Sequence, residues 1–345
     1  MEDWLSIGAA ASAPAVLVTV AIVEGSVPRE PGARMLVDAV RQWGTVGGGH
    51  LELRGAEAAR AMLASGELRR LERFPLGPSL GQCCGGVVHL AFELVDRAHL
   101  AALAARRRED SWRLVLLDTS LDTKPEVAPD ARPALALLDA AGRAVHGTAA
   151  AALPAFDRSQ GTHVLRDEQG RRWLADLVAA PRAHLMLFGA GHVGAAIVRA
   201  LADLPCTVTW VDERDDLFPP EIPHNVAVEV TDTPEALAAQ APAGTSFLVM
   251  THSHALDQRL AETILRRPNP GPGHDHDWFG LIGSSTKRIQ FERRLIERGV
   301  NRERLEAMVC PIGIPGIEGK LPAVIAVAVA AQLLMVWEAA LQERI

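Results

Sequence analysis

The stretch Leu185-Met186-Leu187-Phe188-Gly189-Ala190-Gly191-His192-Val193-Gly194 decides the fold of half this chain. Four apolar residues suited to a buried strand run straight into Gly-x-Gly-x-x-Gly, and helix-forming residues follow. In that arrangement Gly189 makes the tight turn, Gly191 lets a diphosphate approach the main chain, and Gly194 lets helix and sheet pack closely. The free N–H groups at the helix start, from His192 onward, then face an anion. Alone the motif is weak, and context gives it weight. Asp212 ends the next strand-like run, roughly 20 residues beyond the first glycine, where an acidic side chain binds a ribose.

Outward from this point the chain alternates strand and helix. Residues 185–188, 207–211, 226–230, 246–250 and 279–282 read as buried strands, and 192–202, 234–240, 255–266 and 287–298 as helices. The alternation predicts a Rossmann-like, doubly wound parallel sheet over 185–345. Ligands of such sheets bind outside the carboxyl ends of the strands. Polar motifs fall there: Thr251-His252-Ser253-His254, Gly283-Ser284-Ser285-Thr286-Lys287, and Gly313 to Gly316 with Lys320. Ser284 or Ser285 is placed to cap a helix, and Lys287 to neutralise a phosphate. His252 and His254 with Asp257 invite a zinc reading, but four ligands do not converge, so contact with a ligand or capping is preferred for His252. His274 and His276 sit in a Pro/Gly-rich loop and read as solvated. Residues 321–337 are long enough to span a bilayer, yet Pro322 at the start and Gln332 in the body favour a fully buried closing helix.

Residues 1–180 read differently. A β-branched strand at 15–23 leads into a turn-rich loop from Gly25 to Gly32 that contains Arg29. A strand at 33–37, the run Gly44-Thr45-Val46-Gly47-Gly48-Gly49 and a helix at 50–63 stopped by Gly66 come next. Gly81-Gln82-Cys83-Cys84-Gly85-Gly86 then feeds a strand at 87–95 and a helix at 98–107. Short strands at 112–117, 163–166 and 171–178, with turns at Asp139 and Asp167, form a β-rich extension. Residues 180–184 read as a linker. The expected fold class is α/β: an N-terminal α+β domain with a β-rich extension, then the Rossmann-like sheet.

Composition narrows the function. At 345 residues the chain holds two or three domains. A net charge of −7 without a basic patch argues against nucleic acid. The apolar run after Glu2 and Asp3 lacks a basic leader and contains Pro14, so it reads as a strand and not a signal peptide; no membrane role is expected. Four cysteines without framework spacing fit a reducing cytoplasm. Cys83 and Cys84 in a glycine-rich loop fit a soft metal, a carried sulfur, or two small packed thiols. No serine-hydrolase elbow or cysteine-protease signature is present.

Taken together, these motifs resemble the XdhC-type (XdhC/CoxI) maturation factors of xanthine dehydrogenase. The matching points are Gly25 to Arg29 with Pro31-Gly32, Gly47 to Gly49, Gly81 to Gly86, Gly189 to Gly194, Thr251 to His254, Gly283 to Lys287, and Cys310 to Gly313. The β-rich middle carries no signature of the family. The resemblance implies a chaperone, not an enzyme. It would bind the molybdenum cofactor (molybdopterin) as cargo, together with a possible nucleotide portion, and shield it while a cysteine desulfurase installs the terminal sulfur. Delivery would be to apo-xanthine dehydrogenase, from a cytoplasmic homodimer. The implied cofactor-binding set is Arg29, Gly47, Gly48, Gly49, Cys83, Cys84, Gly189, Gly191, His192, Gly194, Asp212, His252, Ser284 and Lys287. Phosphate suits the helix N-termini, and the sulfur-rich metal end suits Cys83 or Cys84 as soft ligands, with the cofactor expected between the two domains. Two other readings compete. One is an NAD(P)-dependent oxidoreductase with His252 as its acid–base group; the other is a thiol-redox or persulfide-carrying protein using Cys83–Cys84, where a disulfide between the pair is disfavoured by the strained ring that adjacent cysteines close.

Overall fold

The computed structural model describes residues 4–77, 85–117, 134–147, 153–268 and 277–342. It divides into two compact units, Met1–Ala180 and Pro181–Ile345. Cys83, Cys84, His274 and His276 lie outside the described residues.

The first unit runs α1 (Trp4–Ala10), β1 (Val16–Glu24), β2 (Arg34–Val37), β3 (Gln42–Gly44), α2 (Gly49–Ser65), β4 (Arg69–Pro75), β5 (Val87–Leu94), α3 (Arg97–Ala104), β6 (Ser111–Leu116), β7 (Leu135–Asp139), β8 (Ala144–Gly147), β9 (His163–Arg166) and β10 (Arg172–Val178). It contains two antiparallel five-stranded sheets, ordered β3-β2-β1-β5-β4 and β8-β7-β6-β10-β9. Strand β1 is buried on both sides because its alternating residues serve two cores. Val16, Val18 and Val20 pack with Leu51, Ala59 and Met62 of α2, whereas Ala21 joins Val115 and Leu174 of the second sheet. Gly66 stops α2 in the left-handed conformation, at φ +73°, and its N–H donates to Met62 O.

An ionic network crosses between these two sheets. Arg113 on β6 is completely buried, and it donates to Asp176 on β10 at 2.9 Å and to Glu93 on β5 at 2.5 Å. Arg34 on β2 also grips Asp176, and Thr162 Oγ1 donates to that carboxylate at 3.2 Å. Nε of Arg113 lies 3.4 Å from Nε2 of His99 on α3. Burial, and then the Arg113 charge, push the His99 imidazole down to a pKa of about 2, so the ring is neutral.

The second unit runs β11 (Ala183–Phe188), α4 (His192–Leu201), β12 (Cys206–Asp212), β13 (Val226–Val230), α5 (Pro234–Gln240), β14 (Ser246–Val249), α6 (His254–Leu265), β15 (Trp278–Leu281), α7 (Ser285–Glu297), α8 (Arg302–Glu306), β16 (Met308–Val309) and α9 (Pro322–Gln342). Its sheet is wholly parallel and ordered β13-β12-β11-β14-β15-β16. That is the 3-2-1-4-5-6 order of dinucleotide-binding folds, with the sheet order reversing between β11 and β14. Two cores flank it, one built with α6 and α7 and the other with α4 and α9.

The closing helix departs from expectation. Val329, Leu333 and Trp337 of α9 are buried, but Leu321 just before it and Val327 and Met335 within it are 70%, 61% and 67% exposed. A helix packed along one side leaves the other open, so an apolar composition does not guarantee burial. By length and composition α9 also meets the requirement for crossing a membrane. Strands β3 and β4 and helices α1 and α8 are further elements that the sequence reading does not contain.

Candidate functional site

Strand register sets the site in the second unit. Phe188 lies opposite Val211 and Val249, and Val249 opposite Leu281. The residues that follow each strand therefore emerge at one edge. Gly189 has φ +123°, and a Cβ there would sit 2.5 Å from Met250 O. Backbone conformation and neighbouring strand both require glycine. A Cβ on Gly194 would come within 2.1 Å of Gly189 O, so this second glycine lets α4 press against the turn. Gly191 is different. Its φ is an ordinary −69° and no atom lies within 4 Å of its Cβ position. Folding does not explain its missing side chain, but a close ligand would. Gly191 is also the N-cap of α4 and no side chain caps that end, which leaves the first N–H groups of the helix available to an anion.

Beside this turn lies a shallow crevice lined by Gly189, Asp212, Glu213, Pro234, Thr251 and His252 among others. Asp212 is already occupied. Its Oδ2 accepts from Ala190 N at 2.7 Å and from Arg214 Nη2 at 3.0 Å. Its Oδ1 accepts from Arg214 Nε at 2.9 Å and Arg214 N at 3.1 Å. Burial pushes this carboxyl upward, but the Arg214 and Ala190 donors outweigh it and hold the group below the usual aspartate range. Glu213 and His252 face each other across the crevice rim at 3.5 Å, both about half exposed.

The remaining polar motifs turn inward. Asp257, fully buried, accepts from Thr251 N at 3.0 Å, Thr251 Oγ1 at 2.7 Å and Lys287 Nζ at 2.7 Å. Lys287 also donates to Ile282 O at 2.8 Å, so its charge is spent within the fold. Ser253 caps α6 through Leu256 N, and Ser284 caps α7 through Lys287 N. Among the described residues no group of three or more His, Cys, Asp or Glu is arranged to hold a metal ion.

In the first unit three loops meet at one end of the first sheet. Consecutive left-handed backbones at Gly47, Gly48 and Gly49 have φ values of 131°, 74° and 58°. A Cβ on Gly47 would lie 2.5 Å from Pro28 Cγ and 3.6 Å from Arg29 Cγ, whereas Gly48 faces open space. Glu52 of α2 fastens this run: it accepts from Thr45 Oγ1, from Gly48 N at 3.1 Å and from Gln42 Nε2 at 2.8 Å. Gly86 N donates to Ser26 O at 3.1 Å, so the end of the dicysteine segment is tied to the loop that carries Arg29. Arg29 is exposed.

The structure thus gathers Gly189, Gly191, His192, Gly194, Asp212 and His252 at one strand edge, and Arg29 with Gly47 to Gly49 at another site. Ser284 and Lys287 serve the fold. Sequence reading missed Glu52, Glu213 and Arg214. The doublet Asp212-Glu213 was visible, but spacing alone does not say which carboxylate is free.

Residues 185–333 match the model of the XdhC Rossmann domain, and residues 9–75 that of the XdhC and CoxI family. The uncharacterized protein YqeB of Escherichia coli K12 is 28% identical over 156 residues, which are 45% of this chain and 27% of that protein. The chain therefore spans about a quarter of the length of that curated relative. A crystal structure from Bacillus halodurans, described as a xanthine dehydrogenase, has the same fold; its TM-score is 0.70 at 21% identity, over 97% of this chain and 95% of that one.

Proposed function

Because the chain belongs to the XdhC and CoxI family, whose members are xanthine dehydrogenase accessory proteins, we propose that it carries the molybdenum cofactor as cargo. It protects the cofactor while a cysteine desulfurase supplies the terminal sulfur, then passes it to apo-xanthine dehydrogenase. The protein acts in the cytoplasm as a homodimer and does not turn over a small substrate of its own. The cargo has two chemically distinct ends. Its phosphate, or the diphosphate of a dinucleotide form, suits the N–H groups that open α4. Its soft, sulfur-rich metal end suits thiolates at Cys83 or Cys84, and Arg29 and the glycines at 47–49 contribute a charge and open main chain.

One observation carries the reading: Gly191 lacks a side chain for no packing reason, at an uncapped helix start. Gly189 and Gly194 hold the turn, and Gly191 leaves room for an anion against the main chain. The test is elemental analysis of freshly purified protein, together with the fluorescent oxidised pterin it releases and the dehydrogenase activity it restores. Replacing Cys83 and Cys84 by alanine, and separately Gly191→Ala, should leave the fold intact while lowering bound molybdenum and pterin. Undiminished molybdenum and pterin in both variants reject the reading.

The second reading, an NAD(P)-dependent oxidoreductase, is favoured by His252 alone, because its ring stands at the crevice rim beside Glu213. Hydride transfer from NADH or NADPH to an acceptor by the pure protein would select it.

A further inference from the structure

The aspartate that spacing assigns to a ribose is not free to take one. An ionised carboxylate offers about four acceptor positions. Asp212 fills four of them with Ala190 N, Arg214 N, Arg214 Nε and Arg214 Nη2, and its side chain is only 4% exposed. Its place in the fold is that of a brace. Oδ2 holds the turn between Gly189 and Gly191 through Ala190 N, while the Asp212 carbonyl accepts from Thr231 N at 3.2 Å. A ribose hydroxyl that reached Asp212 would have to evict Arg214 first.

Glu213 has the opposite character. It follows β12 directly, lines the same crevice as Gly189 and Thr251, and is 45% exposed. His252 Nε2 lies 3.5 Å from its Oε1, beyond ordinary hydrogen-bond length, so its oxygens keep acceptor capacity. Arg214 would be the natural anchor for a phosphate on the ribose. Here two of its guanidinium nitrogens are held by Asp212, and Glu213 and Asp216 add further negative charge around it, so little of its charge is left for a phosphate.

We propose that Glu213, with His252 beside it, is the residue that holds the ribose hydroxyls of a nucleotide in this crevice, and that Asp212 is a structural brace. The ligand class is a nucleotide or dinucleotide with a free 2′-hydroxyl; a 2′-phosphate is rejected by the Glu213 charge. This deepens, and rests on, the reading that the crevice binds the nucleotide or phosphate end of a cofactor.

The experiment uses the full chain and calorimetric titration with ADP and CDP, their 2′-deoxy counterparts, and the pair NAD and NADP. The ribonucleoside diphosphate should bind about tenfold more tightly than its deoxy form, as expected for one hydrogen bond to a charged acceptor. NADP should bind more weakly than NAD. Glu213→Gln should erase the ribose preference and Glu213→Asp should restore part of it. Asp212→Asn should lower the melting temperature yet keep the preference at temperatures where the variant is folded. Ribose preference that survives Glu213→Gln, or NADP bound as tightly as NAD, overturns the inference alone. No binding of any of these nucleotides to the unaltered protein overturns both the nucleotide reading and the inference.

Discussion

The three glycines of the fingerprint should respond to one added methyl group in different ways, although they share a motif. At Gly189 the methyl meets two obstacles. The left-handed backbone costs an alanine about 1–2 kcal/mol. The overlap with Met250 O, 2.5 Å from the new carbon, adds the ~1–3 kcal/mol typical of overpacking. Together these give roughly 2–5 kcal/mol, and at about 2–4 °C per kcal/mol for a unit of this size Gly189→Ala should melt at least about 4 °C early. Gly194→Ala meets only the overlap, with Gly189 O at 2.1 Å, and should lose the ~1–3 kcal/mol of overpacking alone. At Gly191 the backbone is ordinary and no atom lies within 4 Å, so what remains is the small advantage of glycine over alanine as an N-cap, below about 1 kcal/mol. Scanning calorimetry should place Gly191→Ala within about 3 °C of the unaltered protein. Titration with ADP should nevertheless show it at least about tenfold weaker, because the methyl stands where a phosphate must approach. If Gly191→Ala melts as early as Gly189→Ala, the position belongs to the packing. If it binds ADP undiminished, the open space is not the ligand's.

Other perturbations test the first unit. Asp176→Asn removes the carboxylate shared by Arg34 and Arg113 and leaves buried charge without its partner. Urea unfolding should show a loss of about 3–5 kcal/mol, and a loss below about 1 would mean that the network is not held as described. His99 carries a pH dependence of definite sign. Its folded-state pKa of about 2 lies below the ordinary 6.5, so on acidification the unfolded chain takes up a proton that the folded one refuses. Stability is complete above pH 6.5 and declines toward the folded value, by up to about 1.4 kcal/mol per pH unit. Urea midpoints at about pH 7.5 and 5.5 should converge in His99→Gln relative to the unaltered chain; an unchanged difference excludes this ring as the source.

The parallel sheet was legible because its strands are short apolar runs whose burial on both faces leaves no alternative pattern, as in β11 and β14. The turn at Asp167 to Gly170 between β9 and β10 was legible through its turn chemistry. Strand β4 was not. Arg69-Arg70-Leu71-Glu72-Arg73-Phe74-Pro75 is charged along its length, and only pairing with β5 makes a strand of it. Its Arg69 is buried because Leu116 O and Ala134 O accept from the guanidinium, contacts distant in sequence. The candidate site shows the same division. Which glycines stand after which strand could be read from spacing. That Lys287 is turned to Asp257, and that Arg214 closes Asp212, depends on partners that spacing cannot name.

The β-rich middle carried no recognisable motif, yet it holds Arg113 and Asp176, bound to Arg34 and Glu93 from the preceding sheet. Exchange of any one of these four for an uncharged residue leaves the buried set with unequal positive and negative charge, so each single step away from it is costly. Descendants of such a chain should inherit the quartet whole or lose it as a block. Coinciding substitutions at 34, 93, 113 and 176 would then serve as a lineage marker for a region in which no individual position is distinctive.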